Sequence, residues 1–234
     1  MKPNFLLLPG LLNDASLFTD QIAALATLGK VEVGDLTTAE TIADLASSVL
    51  KATSSERFVL IGLSLGGYVA FEIMRQAPER VAGLVLIDTT ARPETAEASA
   101  KREVLIKLAA KDLTAVTEQL LPLLSHPERM NFPDVRGVIQ SMASSLGKEV
   151  FVRQQRAIMG RPDSQPTLAT ITCHTLVICG REDLITPPAL AKEMADGIKH
   201  AKLKLIDQCG HLATLDQPAE VSRLLLEWIE ENKF

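Results

Sequence analysis

Short apolar runs alternate along this chain with longer stretches of helical spacing, and that alternation limits the fold more than any single residue does. The runs Asn4–Leu8, Val31–Val33, Arg57–Leu63, Val81–Asp88, His174–Gly180 and Lys202–Ile206 are rich in β-formers and read as six strands. Within them, Phe58-Val59-Leu60-Ile61 has no polar position at all. A strand with one wet face would alternate, so a continuous run suits a parallel sheet covered on both sides. Between the runs lie helix candidates with recognisable ends: one opened by Asp14 and closed near Gly29, Thr38–Ala52, Tyr68–Gln76, Pro187–Gly197 and Pro218–Glu231. Proline opens the last two, where its missing N–H costs nothing. The expected fold class is α/β, a mainly parallel sheet with helices on both faces.

The alternation breaks once, from Pro93 to Thr172. No strand is predicted there, only helical stretches punctuated by Pro122, Pro127, Pro133, Pro162 and Pro166. Eighty residues of that kind between two core strands read as a helical insertion over the edge of the sheet where strands end. The predicted organisation is therefore a core of residues 1–92 and 173–234 with an inserted helical cap at 93–172. The insertion is nearly neutral, with 10 Lys+Arg against 9 Asp+Glu.

Composition narrows the partners. With 47% apolar and 23% charged residues, the 234-residue chain can build its own core. A net charge of −5 argues against nucleic acid or an anionic membrane as the main partner. No apolar run approaches the ~18 residues of a membrane span, and the short run at the N-terminus reads as a strand rather than a secretory leader. Three cysteines do not make a disulfide framework, so a reducing cytoplasm is the expected compartment. Monomer and homodimer both remain open.

The most informative residues are Gly62-Leu63-Ser64-Leu65-Gly66-Gly67, set directly between a buried strand and a helix. A turn that abrupt strains its central residue, and glycines on either side let the two backbones pass closely. The serine oxygen then stands clear of the sheet at the positive end of the helix, where backbone N–H groups can hold an oxyanion. A dinucleotide-binding fingerprint would need glycine where Ser64 stands, and a phosphate-binding P-loop would need a lysine that is missing.

A reactive serine needs a base, and the base needs an orienting carboxylate. Of the four histidines, His211 lies in the loop after the last predicted strand, at the end of the sheet where such folds place their working residues. His174 and His200 fall at the opposite end, and His126 falls in the insertion. Asp183 follows the strand His174–Gly180 on the same side as Ser64 and His211, with Glu182 beside it and Asp88 as its chief competitor. The order Ser…Asp…His favours Asp183.

These motifs, Gly62-Leu63-Ser64-Leu65-Gly66, Gly180-x-x-Asp183-x-x-x-Pro187 and Gly210-His211, resemble those of α/β-hydrolase-fold proteins of the compact type with a helical cap between the sixth and seventh strands of the family's sheet. The similarity spans nearly the whole chain. It implies Ser64 as nucleophile, His211 as general base and acid, and Asp183 as its orienter. It also implies an oxyanion hole formed by the Leu11 and Leu65 N–H groups. Many members carry His-Gly in the loop where this chain has Pro9-Gly10, and because the first predicted strand carries that loop, the resemblance implies a sheet without the family's usual first two strands.

The expected chemistry is hydrolysis of small, fairly apolar carboxylic esters through an acyl-enzyme on Ser64, with no cofactor. No histidine pair has metal-ligand spacing, so no metal is expected. The same triad also serves C–C bond, thioester and lactone hydrolysis and perhydrolysis, and a slow-turnover ligand sensor is a further alternative. Met130, Phe132, Met142, Phe151 and Met159 could line an acyl pocket, though helix packing is the more ordinary use of such residues. Arg153, Arg156 and Arg161 could hold a substrate carboxylate; a solvated helix face or a pair with Asp163 is the favoured reading.

Overall fold

The computed structural model describes residues 2–130 and 132–234. Six strands, β1 (Asn4–Leu8), β2 (Lys30–Val33), β3 (Phe58–Leu63), β4 (Val81–Ile87), β5 (His174–Gly180) and β6 (Ala201–Ile206), form one sheet in the order β2-β1-β3-β4-β5-β6. Every neighbouring pair is parallel. All six predicted strands are present, with ends displaced by a residue at most.

The unbroken apolar runs divide between two cores. Phe5, Leu7, Val59, Ile61, Val85 and Ile87 point to one face, where they meet side chains of α1 (Thr19–Ala26) and α11 (Pro218–Asn232). The interleaved Leu6, Leu8, Leu60, Leu84 and Leu86 point to the other, against α2 (Ile42–Ala52), α3 (Leu65–Gln76) and α9 (Pro188–Gly197). Successive strand residues face opposite ways, so both-face burial demands hydrophobicity at every position. The edge strand β6 differs as expected: Lys202 and Lys204 alternate with half-buried neighbours and leave the edge charged.

Three helices begin several residues from their predicted starts. Asp14 caps a short 3-10 turn (Ala15–Phe18), and α1 follows only at Thr19. Helix α2 starts at Ile42 rather than Thr38, because Thr41 caps it by accepting from the Asp44 N–H at 3.1 Å while its hydroxyl donates back to Asp44 at 2.6 Å. Helix α3 starts at Leu65 rather than Tyr68. Its glycine pair reads in sequence as a turn, yet it already lies in the helix, where close packing requires it.

Between β4 and β5 the described residues form helices joined by short turns, with no strand among them: α4 (Ala96–Ala109), α5 (Leu113–Leu124), α6 (Pro127–Met130), α7 (Pro133–Met159) and α8 (Gln165–Leu168). Proline stands in the first turn of α7 and α8, as the punctuation suggests. Helix α7 breaks at Gly147, whose φ of +81° no other residue type adopts cheaply. Leu12, from the loop after β1, joins Ala109, Val116, Ala143 and Phe151 of this segment in a third apolar cluster.

Candidate active site

In a parallel sheet all strands deliver their C-terminal ends to one edge, and Ser64, Asp183 and His211 leave β3, β5 and β6 at that edge. Ser64 has φ +53° and ψ −112°, a strained conformation for a residue with a side chain. Its surroundings over-determine it. The Ser64 N–H donates to the Ile87 carbonyl at 3.0 Å, and its own carbonyl accepts from the Thr89 hydroxyl at 2.8 Å. A Cβ on Gly62 would press on the backbone of Gly66, and one on Gly66 would overlap the Leu8 carbonyl. The elbow is thus possible only because both flanking residues are glycine.

A line of hydrogen bonds joins the three side chains. His211 Nε2 lies 2.9 Å from Ser64 Oγ, and His211 Nδ1 lies 2.9 Å from Asp183 Oδ2. Burial alone would raise the Asp183 pKa, but His211, the Thr186 hydroxyl and the Thr186 N–H together hold it below the ordinary 3.8. The carboxylate is therefore ionised and can only accept, which makes His211 Nδ1 the donor and leaves Nε2 free to accept from the serine. Asp183 Oδ1 also accepts from the N–H groups of Ile185 at 2.8 Å and Thr186 at 2.9 Å, while the Thr186 hydroxyl donates to Oδ2 at 2.7 Å.

Asp88, the sequence competitor, has another task. Its oxygens accept from the N–H groups of Gly180 at 2.9 Å and Ala213 at 3.0 Å, so it braces the loops that carry Asp183 and His211. Complete burial and the nearby Asp183 charge push its carboxyl well above the ordinary range. Asp88, Cys179 and Asp183 come within 4.8 Å of one another. Both carboxylates are engaged by protein donors there, and burial raises the Cys179 thiol pKa, which opposes the thiolate a metal would need.

The loop after β1, where the resemblance would place an oxyanion hole, is held by a residue that sequence reasoning did not find. Gln154 of α7, fully buried, accepts from the Leu12 N–H at 2.8 Å and donates to the Leu36 carbonyl at 3.0 Å. Among the described residues, no protein oxygen accepts from the N–H of Leu11 or of Leu65. A second unforeseen residue is Asp216 of the short helix α10 (Ala213–Asp216). It accepts from the Gly210 N–H at 2.7 Å, the His126 N–H at 2.8 Å and the Ser125 hydroxyl, tying the α5–α6 turn to the His211 loop. Of the remaining histidines, His174 opens β5 at the opposite edge and His200 precedes β6.

A cavity of about 340 Å3 opens over Ser64 and His211. Its walls are mostly aliphatic, including Leu105, Leu120, Leu124, Ile139 and Ile158 of the helical segment, and the exposed side chains of Leu123, Leu184 and Ile185 line it as well. The methionines and phenylalanines considered from sequence are not among the lining residues: Met142 is buried in the core that includes Phe5 and Leu17, Phe151 packs in the third cluster, and Phe132 is half exposed. Arg153, Arg156 and Arg161 do not line it either. Arg153 donates to the Thr37 carbonyl at 2.8 Å, Arg156 pairs with Glu40 at 2.8 Å, and Arg161 pairs with Glu94 rather than Asp163. The basic residues on the cavity wall are Lys101 and Arg102.

A parallel sheet with helices on both faces, ending its third strand in a sharp serine turn, defines the class of α/β-hydrolase folds. The chain belongs to the alpha/beta hydrolase family, whose model matches residues 5–224. A thermophilic esterase from Thermogutta terrifontis, in its malate-bound structure, superposes with a TM-score of 0.90 at 29% identity over 98% of this chain and 90% of that one. RutD of Variovorax paradoxus (strain S110), provisionally named a carbamate hydrolase, is 28% identical over 80% of this chain and 73% of its own length. The 2-hydroxy-6-oxo-6-phenylhexa-2,4-dienoate hydrolase of Comamonas testosteroni is 28% identical over 79% of this chain and 66% of its own length. Among the described residues, no helix is long and apolar enough to cross a membrane.

Proposed function

We propose that the protein hydrolyses small carboxylic esters through an acyl-enzyme on Ser64, with residues 93–172 acting as a cap over the acyl site. The observation that carries this reading is the hydrogen-bonded line Ser64–His211–Asp183, at 2.9 Å for each link. His211 Nε2 accepts the Ser64 proton as Oγ attacks the ester carbonyl, and Asp183 stabilises the imidazolium that forms. The unengaged N–H groups of Leu11 and Leu65 receive the developing oxyanion. His211 then protonates the leaving alcohol and next takes a proton from the water that releases the acid. The aliphatic lining favours substrates with a hydrocarbon portion. Likeness to an esterase structure at 29% identity agrees with the ester assignment.

The resemblance to the dienoate hydrolase supports a second reading, cleavage of a C–C bond beside a ketone by the same three side chains. One experiment tests the serine chemistry common to both. A fluorophosphonate probe is expected to label Ser64, and Ser64→Ala is expected to abolish labelling together with hydrolysis of p-nitrophenyl butyrate. Undiminished hydrolysis by that variant would refute the assignment. Turnover of a vinylogous 1,5-diketone acid, with no turnover of simple esters, would select the second reading.

A further inference from the structure

The aliphatic cavity has one polar wall, and its charge is unbalanced. Arg102 of α4 lines the cavity beside Gln155 and Tyr68. Its Nε donates to Glu94 at 2.9 Å and its Nη1 to Gln155 Oε1 at 2.8 Å. Arg161 pairs with the same Glu94 and lies 4.5 Å above the Tyr68 ring. Glu94 is only 2% exposed, so two guanidinium groups share a single buried carboxylate and one positive charge is left over. Among the described residues neither Arg102 Nη2 nor Gln155 Nε2 has a protein acceptor, although Gln155 is 1% exposed. Lys101 stands beside them, paired with Glu97 at 2.7 Å. A largely desolvated cation next to an amide N–H with no protein acceptor, both facing a cavity, is built to receive an anion.

Resting on the ester-hydrolase reading of Ser64, we propose that Arg102 and Gln155 bind a carboxylate of the substrate, so that the preferred ester carries an acid group beyond a short apolar spacer. Guanidinium and amide donors together match the planar oxygens of a carboxylate, while the leucines around them accept the methylenes between that group and the reacting carbonyl. The carboxylate can sit on the acyl side, as in a monoester of a dicarboxylic acid, or on the alcohol side, as in an ester of a hydroxy acid.

The test compares matched pairs. For the acyl side, mono-p-nitrophenyl adipate is set against p-nitrophenyl hexanoate; for the alcohol side, 4-butyryloxybenzoate is set against phenyl butyrate. In one pair, kcat/KM for the carboxylate ester is expected to exceed that of its neutral partner about tenfold or more, mainly through KM, and Arg102→Met is expected to lower that ratio by about tenfold to a hundredfold. A neutral ester preferred in both pairs, or a ratio unmoved by Arg102→Met, overturns the proposal. Should the methionine variant not fold, wild-type protein gives the same decision: adipate is expected to inhibit p-nitrophenyl butyrate hydrolysis competitively and more strongly than adipamide, and equal inhibition overturns it. If the protein neither reacts with the fluorophosphonate nor hydrolyses any ester, the Ser64 reading fails by itself. Calorimetric binding of monomethyl adipate, strong in wild type and lost in Arg102→Met, then still decides for the carboxylate site, and equal binding by both decides against it.

Discussion

Two buried aspartates 95 positions apart in the sequence lie side by side at the C-terminal edge of the sheet, and their partners give them opposite tasks. Asp183 faces an imidazole and a hydroxyl, whereas Asp88 accepts from two backbone amides and has the Cys179 thiol beside it. Asp183→Asn replaces an acceptor by a donor opposite His211 Nδ1–H and favours the wrong tautomer, so kcat is expected to fall about 10³–10⁴-fold with little loss of stability. Asp88→Asn instead turns a donor toward one of two amides and should cost about 1–3 kcal/mol in stability, with a much smaller loss in kcat. Parallel kinetic and urea-unfolding measurements on both variants check the division; equal kinetic losses would contradict it. Ser64, Asp183 and His211 are legible in sequence because each sits in the loop directly after a strand. Thr186, Gln154, Asp216 and Arg102 are not, since nothing local separates an inward polar side chain from a solvated one. Gln154 meets Leu12 across 142 positions, and only the folded chain reveals the contact.

At the scale of single elements, continuous apolar strands are readable because both-face burial leaves its mark on every residue, while helix starts differ from expectation where a cap or a glycine pair decides. The β3–α3 elbow shows how sharply one position can matter. Gly66→Ala would drive a methyl into the Leu8 backbone, and relief requires moving β1 against α3. We expect a destabilisation of about 3 kcal/mol, seen as a fall of roughly 6–12 °C in Tm. Gly137 in α7 is the matched control, with nothing within 4 Å of the position a Cβ would take. Gly137→Ala is expected to raise stability by about 0.5–1 kcal/mol, because the exposed helix gains propensity without a clash. Similar thermal shifts in both variants would remove the steric account of the elbow.

Across the whole molecule, the helical segment and the sheet edge are joined beside His211 by Asp216, which holds Ser125, His126 and Gly210 together. Burial lifts the Asp216 carboxyl above 3.8 despite those donors. Between 3.8 and that raised value the folded chain retains a proton the unfolded chain has lost, so stability falls as pH rises through the window. Asp88 contributes in the same direction. Asp216→Asn should remove part of this contribution, so that Tm between pH 4 and neutrality falls less, or rises more, than in wild type; slopes equal to wild type would exclude a role for Asp216. The cavity has a further consequence. Its floor comes from strand-end loops fixed by the sheet, and most of its roof comes from one uninterrupted stretch of helices spliced between β4 and β5. Diversification of such a scaffold can proceed by exchanging the roof as a cassette, changing the cavity's lining while the hydrogen-bonded line Ser64–His211–Asp183 is inherited intact.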